Sequence, residues 1–335
     1  MSCLAGAAIT MGVVLATRPG THAVERNPVR PAVLQPITSV VWKQFPTERV
    51  AAKVTPAVAR LDVEGPKGWT QPASAVLLDD AGTLVTSAEL VRGSRKLVVT
   101  FAGDLPRTGH LAGTDAQTGI AVITVQPNGR QAPDLAGTRP LIGEPTVMVG
   151  GPGPGSSVGT ISTGTVRSLG RQMETTDQSL HDMIQLDRPV LDDTTGGALV
   201  DADGQILGIC LQGKAPGTGY VVPVDLVRKV SDAVRRGGKV RWGRLGVKAT
   251  NLDPGRAQDL GIAGAAQLVS IEPSSPADNA GLVKGDLVTH LGMTKIESVT
   301  DLVAALSEHH PGDEIVIEYR HGSSSRTVHA TLSSN

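Results

Sequence analysis

The sequence predicts a mainly β protein of about two domains, a barrel or sandwich of short strands followed by a smaller unit. Three observations lead there. The chain has 335 residues, about two domains at roughly 150 residues each. Its 40 glycines and 22 prolines show no three-residue period, so they read as turn residues rather than a fibrous repeat. Between those turns lie short Val-rich runs at regular spacing, the pattern of a closed or stacked antiparallel β fold.

In chain order, residues 3–16 are almost wholly apolar and end at Arg18. Crossing a bilayer as a helix takes about 20 apolar residues, so the run suits the core of a secretory signal better than a span. The basic start of such signals is missing, as it would be if the front had been clipped, and Thr21-His22-Ala23 resembles a weak cleavage site. Export is expected, with the leader cleaved or kept as an anchor. Residues 20–40 are rich in Pro, Thr and Arg and read as a linker. An amphipathic stretch over 39–54 carries Val41, Trp42 and Phe45. Strand-like runs come next at 58–63, 75–78, 83–86, 96–100 and 120–125. Turn signals separate them, among them Asp79-Asp80-Ala81-Gly82 and, further on, the hairpin dipeptide Asp203-Gly204. Residues 223–238 predict a helix with Val224, Leu226, Val227, Val230 and Val234 on one side and Gly237-Gly238 as its stop. A second unit starts near Trp242 and holds two further helices, 276–280 and 300–309.

Composition excludes several classes. Lysine plus arginine number 31 against 32 acids, and only seven residues are aromatic, so nucleic acid is not an expected partner. Two cysteines make no disulfide framework, and Cys210 inside the run ILGICL reads as a small buried hydrophobe. Asp201-Ala-Asp-Gly204 lacks the downstream acid of a calcium loop and reads as a hairpin turn. The glycine run 150–155 lacks the following Lys-Ser/Thr of a phosphate loop and reads as a flexible loop. His309, His310, His321 and His329 lack clean ligand spacing and read as solvated side chains. No metal or cofactor is expected.

The informative segment is 185–212, QLDRPVLDDTTGGALVDADGQILGICLQ. A hydroxyl residue, then Gly-Gly, a small residue and Leu-Val entering a strand is the surrounding of a serine-protease nucleophile. The glycines let a substrate backbone approach, and turn amides beside the hydroxyl can stabilise an oxyanion. With residues 83–91 (TLVTSAELV), 113–122 (GTDAQTGIAV) and 217–223 (GTGYVVP), the chain over about 50–332 resembles an HtrA-type protease. That resemblance implies a chymotrypsin-like double β-barrel over 47–236 and a PDZ domain over 237–335, after a leader at 1–17 and a linker at 18–46.

The resemblance fails at the catalytic positions. Glu89 stands where the family has its histidine base, Gly119 where it has the orienting aspartate and Thr195 where it has the nucleophilic serine; Asp193-Thr194 replaces the Gly-Asn before that serine. A hydroxyl needs a base to take its proton, and imidazole suits that task near neutral pH, whereas a carboxylate is a far weaker base. Threonine adds a β-methyl that restricts its hydroxyl, glycine offers nothing to orient a base, and Asp193 puts negative charge beside the oxyanion position shared with Thr195. Loss of one triad member costs on the order of 10⁴-fold, and loss of all three little more. His110 and His181 lie in other segments and are not expected to substitute. The expected state is a polar, solvated former cleft. An improvised Glu89–Thr195 dyad, the alternative that keeps the chain a serine-type endopeptidase, has nothing to orient its base.

The C-terminal unit keeps its signature. Arg244-Leu245-Gly246-Val247 resembles the family's carboxylate-binding loop, where glycine lets backbone amides converge on an anion, and the strand after it offers an edge for an added peptide strand. Residues 275–288 (SPADNAGLVKGDLV) and the helix at 300–309 complete the likeness, which implies a pocket lined by Leu245, Val247, Leu302 and Leu306. The sequence therefore reads as an HtrA-like pseudoprotease whose PDZ domain takes exposed peptides or protein C-termini. The expected roles are regulator, scaffold or holdase in the cell envelope, assembling with itself or with active relatives. A purely structural envelope protein with an idle groove is the third class.

Overall fold

The computed structural model describes residues 46–334 except 71, 127–128, 154, 157–158, 176–178 and 214–216. The leader, the linker and the aromatic part of the 39–54 stretch lie outside the described residues. The remainder of that stretch forms helix α1, Thr47–Val54, which buries Val50 and Val54. No helix among the described residues is long and apolar enough to cross a membrane.

The first barrel comprises β1 (Val58–Gly65), β2 (Gly68–Trp69), β3 (Ala73–Leu77), β4 (Thr83–Ser87), β5 (Lys96–Thr100), β6 (Arg107–Asp115) and β7 (Ile120–Thr124). They pair in the order β2-β1-β3-β4-β7-β6-β5, and β1 also pairs with β5, which closes the sheet. The second barrel closes in the order β10-β13-β12-β11-β8-β9, from β8 (Pro145–Pro152), β9 (Gly159–Glu174), β10 (Ser179–Leu186), β11 (Ala198–Val200), β12 (Ile206–Gln212) and β13 (Gly219–Pro223). Strand alternation explains how the barrels join. Along β7, Ala121 and Ile123 fill the first barrel while Ile120 and Val122 belong to the core of the second. Both faces are thus buried, and the run reads as unbroken apolar sequence.

Helix α2 (Val224–Arg235) leaves β13 directly and buries Val224, Leu226, Val227 and Val230. It stops where the sequence predicts: Gly237 takes φ +74°, its N–H reaches the carbonyl of Val234, and that of Gly238 reaches Ala233, a Schellman closure. The C-terminal unit contains β14 (Gly243–Arg244), β15 (Val247–Asn251), α3 (Pro254–Asp259), β16 (Ala266–Ile271), α4 (Pro276–Asn279), β17 (Leu287–Leu291), β18 (Thr294–Lys295), α5 (Val299–Ser307), β19 (Glu314–His321), β20 (Ser324–Thr331) and β21 (Ser333–Ser334). Its main sheet runs β15-β16-β17-β19-β20, with β15 outermost.

One expectation needs correction. The glycine run is not a loop at its start: Gly150 to Pro152 end β8 and are buried. A Cβ on Gly150 would lie 2.7 Å from the carbonyl oxygen of Asp193, and one on Gly151 would lie 2.4 Å from the amide nitrogen of Arg60. These glycines therefore serve close backbone packing. The C-terminal histidines His310, His321 and His329 are exposed, as expected; His321 Nδ1 lies 2.8 Å from the buried carboxylate of Asp286, and His329 Nδ1 lies 3.2 Å from Glu314. Cys210 is buried in β12, where burial pushes its thiol up to about 12.

Candidate functional site: the cleft between the barrels and the C-terminal groove

Glu89 comes just after β4, Gly119 precedes β7, and Thr195 succeeds a 3₁₀ turn at Asp192–Thr194, so all three stand at strand ends near the joint of the barrels. The turns of the first two are tied by a hydrogen bond from Ala88 N–H to the Gly119 carbonyl, 2.8 Å. Glu89 and Gly119 line one cavity of about 390 Å³ together with Leu111, Met173, Leu180 and Leu211. The lining is mixed, since Ser87, Arg92, Thr114, Thr175 and Gln212 border the same cavity, so the polar character expected of the cleft is shared with an apolar part from the second barrel. Gly119 has φ +74°, and a Cβ there would meet Leu180 Cδ1 at 2.7 Å and Leu211 Cδ1 at 3.5 Å. The methyl ends of Leu180 and Leu211, from the second barrel, thus lie against the Cβ position, and all three residues border the cavity.

Thr195 is turned away from solvent, at 5% exposure. Its hydroxyl donates to the Leu191 carbonyl at 2.9 Å, and its own N–H donates to the same oxygen at 2.9 Å. An oxyanion hole needs that N–H aimed at open space, so here one of its donors is spent internally. The Asp193 carbonyl accepts from Ser74 Oγ at 2.5 Å, and its carboxylate accepts from Thr160 Oγ1 at 2.8 Å. Asp192 accepts from Gln212 Nε2 at 2.8 Å. Gly196, with φ +81°, lies so close to Ser74 and Thr86 that a Cβ would sit 2.2 Å from both Ser74 O and Thr86 Oγ1. Gly196 thus packs this turn against the first barrel, while a Cβ on Gly197 would lie 2.4 Å from Val149 O of β8 in the second. A second concavity, about 520 Å³, is lined by Arg60, Leu191, Asp192, Asp193 and Gln212. Gln212 borders both cavities, while Thr195 lines neither. Sequence reading passes over Gln212, Leu180 and Ser74, because only the pairing of the two barrels brings them here. His110 is exposed on β6, and burial lowers the His181 imidazole below its ordinary value.

In the C-terminal unit, Leu245 is buried and Gly246 takes φ +80°, with a Cβ position only 2.2 Å from Ser275 Cβ. The Gly246 and Leu245 carbonyls accept from Glu272 N–H at 2.9 Å and Ala277 N–H at 3.0 Å, which holds the loop against the end of β16 and α4. Arg244 pairs with Glu272. Val247 and Leu306 are half-buried and Leu302 is buried, all in one core cluster with Leu245, so β15 and α5 flank this apolar cluster from two sides. Asn251 Oδ1 accepts from Val299 N–H at 2.8 Å and ties the far ends of those sides together. Among the described residues, no group of histidine, cysteine and acidic side chains is placed to hold a metal ion.

Comparison with known proteins bears on the whole arrangement. Residues 73–209 match the trypsin-like peptidase domain and residues 243–332 match the PDZ domain. The chain is 29% identical to the serine protease PepD of Mycobacterium tuberculosis over 93% of its own length and 70% of that protein's. It is 26% identical to the serine endoprotease DegS of Escherichia coli, covering 77% of this chain and 76% of DegS. Across both domains the chain is similar to HtrA-type serine proteases. Protease Do-like 1 of Arabidopsis thaliana is 30% identical over 81% of this chain, which spans 65% of that protein. Among solved structures, the HtrA-type protease AlgW with a tripeptide superposes with a TM-score of 0.71 at 24% identity, over 86% of this chain and 97% of that one. The serine endoprotease of Yersinia pestis gives 0.64 at 21%, over 86% and 98%. At that identity the structures establish the HtrA fold, a trypsin-like double barrel followed by a PDZ domain.

Proposed function

We propose that this chain is an HtrA-family pseudoprotease that captures exposed peptides or protein C-termini through its PDZ groove. The observation that carries the reading is the state of Thr195: hydroxyl and amide both engage the Leu191 carbonyl, so neither nucleophile nor oxyanion donor faces the cleft. Gly119 adds to it, since it has no side chain to orient a base and leucine methyls lie against its Cβ position. For peptide capture, the support is the outermost β15 beside α5, the left-handed Gly246 at the head of the groove, and AlgW, whose structure is described with a bound tripeptide. In this reading the chain is exported and works in the cell envelope as a regulator, scaffold or holdase, alone or with active relatives; one curated relative, of Haemophilus influenzae, bears the description "Probable periplasmic serine protease".

The test of capture uses the full chain and a fluorescent decapeptide ending in an apolar residue with a free carboxylate. Leu306→Glu, at a half-buried groove position, is expected to weaken anisotropy-detected binding at least tenfold, and amidation of the peptide terminus should do the same. Gly246→Glu should abolish binding. Equal binding in all three cases would overturn the groove assignment.

A further inference from the structure

The joint between the barrels and the PDZ domain carries a concentration of positive charge unlike the rest of the molecule. Of the 31 lysines and arginines, seven fall within residues 224–244, against two of the 32 acids. The Schellman turn at Gly237–Gly238 folds the chain back on the end of α2. Beyond it, Val240 packs inward and Trp242 is buried, while Lys239 and Arg241 stay outside beside Arg236. The result is a surface cleft of about 230 Å³ lined by Lys229, Arg236, Lys239, Val240, Arg241 and His310. No acidic residue lines it. Lys229 also borders a neighbouring concavity where Arg139 and Arg228 face Asp225 and Asp232.

Most charges nearby are already answered. Asp225 binds Arg139, Asp232 and Asp79 bind Arg235, and Glu272 binds Arg244. Lys229 reaches the Ser307 carbonyl at the end of α5, lies over the Trp242 ring, and feels Glu308 and Asp313 from the PDZ side. Asp313 in turn accepts from the His310 amide. Arg228, Arg236, Lys239 and Arg241 have no acidic partner among the described residues. Helix-end charge accounts for Arg236, which faces the carbonyl end of α2, but Lys239 and Arg241 lie past the helix. Cations that converge on a concavity without acids raise the local concentration of anions.

We propose that this cleft is a binding site for a phosphate-bearing anion, either the headgroup of an acidic phospholipid or a soluble polyphosphate. Its volume suits one such group. Trp242, the aromatic side chain at the joint, is buried, so there is no platform on which a nucleobase would stack. The site is independent of the peptide groove and of the state of Thr195.

The test compares the full chain with the triple variant Arg236→Ser/Lys239→Ser/Arg241→Ser. All three positions are exposed, so the fold should survive, checked by near-ultraviolet circular dichroism and by retained binding of the PDZ decapeptide. Lys229 is left intact because it also caps α5. One arm titrates sodium tripolyphosphate by calorimetry. The other sediments the protein with phosphatidylcholine vesicles containing about 30 mol % phosphatidylglycerol, at low and high salt. Each cation near an anionic surface contributes roughly a fivefold factor, so the variant should lose on the order of 100-fold in affinity. Both proteins carry the same leader, so the difference between them reports the cleft. Loss in the vesicle arm alone assigns a headgroup, and loss in the tripolyphosphate arm alone assigns a soluble anion. No binding of either probe, or equal binding by parent and variant in both arms, overturns the proposal.

Discussion

Replacing Gly119 by alanine tests whether the second barrel has filled the site of an orienting side chain. The backbone there sits at φ +74°, which costs a residue with a Cβ about 1–2 kcal/mol. The new Cβ would lie 2.7 Å from Leu180 Cδ1, the free end of a side chain that borders the cavity, so Leu180 yields by turning off its rotamer. That adds about 0.5–1.5 kcal/mol, for a total of roughly 1.5–3.5 kcal/mol. Leu180→Ala alone should cost about 2–5 kcal/mol through the cavity it leaves. In the double variant the clash disappears, so the two losses should fall short of additivity by about 0.5–1.5 kcal/mol. Urea unfolding of the four proteins measures this directly. A Gly119→Ala variant as stable as the parent, or strict additivity in the cycle, would refute the argument that Leu180 occupies this space. The same reasoning bears on rebuilding the triad: Glu89→His/Gly119→Asp/Thr195→Ser should fold poorly unless Leu180→Ala accompanies it.

Three further outcomes are expected. Burial holds the His181 imidazole below its ordinary value, with Glu174 opposing. Below the ordinary imidazole range the unfolded chain therefore binds more protons than the folded one, and stability should fall as the pH drops from about 6.5 toward the folded value; His181→Gln should flatten the urea midpoint over that window, and an unchanged profile would contradict the assignment. Trp242 Nε1 donates to Asp115 Oδ1 at 2.9 Å, so Trp242→Phe should cost roughly 1–2 kcal/mol in urea unfolding and raise proteolytic nicking between barrel and PDZ domain, whereas unchanged stability and nicking would show the bond to be idle. In a Cys3→Ser background, Cys210 should resist a thiol reagent at pH 8 until denaturant is added, because its buried thiol ionises only near 12; rapid native reaction would mean that β12 opens readily.

The elements are legible in the sequence because local pattern and burial agree. The apolar side of α2 and its glycine stop both come from spacing, and the strand runs lie where two barrels compete for alternate faces of the same strand. Gly246 is legible as well, since a loop whose glycine must take positive φ announces itself. What escapes has a common cause in long-range packing. Nothing around Gly150 tells that its neighbour will be the Asp193 carbonyl, and nothing around Gly119 points to Leu180, which comes from the other barrel. The mismatch of Glu89, Gly119 and Thr195 with the expected catalytic pattern is legible in the sequence as an expectation, but the turn that spends the Thr195 amide on Leu191 depends on the hydrogen bonding of one short helix. The Lys229–Trp242–Asp115 chain, which fastens the PDZ domain through α2, joins side chains that are distant in sequence and have no motif.

The central claim is that the barrel cleft performs no hydrolysis. Casein turnover by the purified full chain, beside its Thr195→Ala variant, measures it most directly. The account predicts that the two are indistinguishable at background. Turnover by the parent that disappears on Thr195→Ala would contradict it and would make Thr195 a working nucleophile.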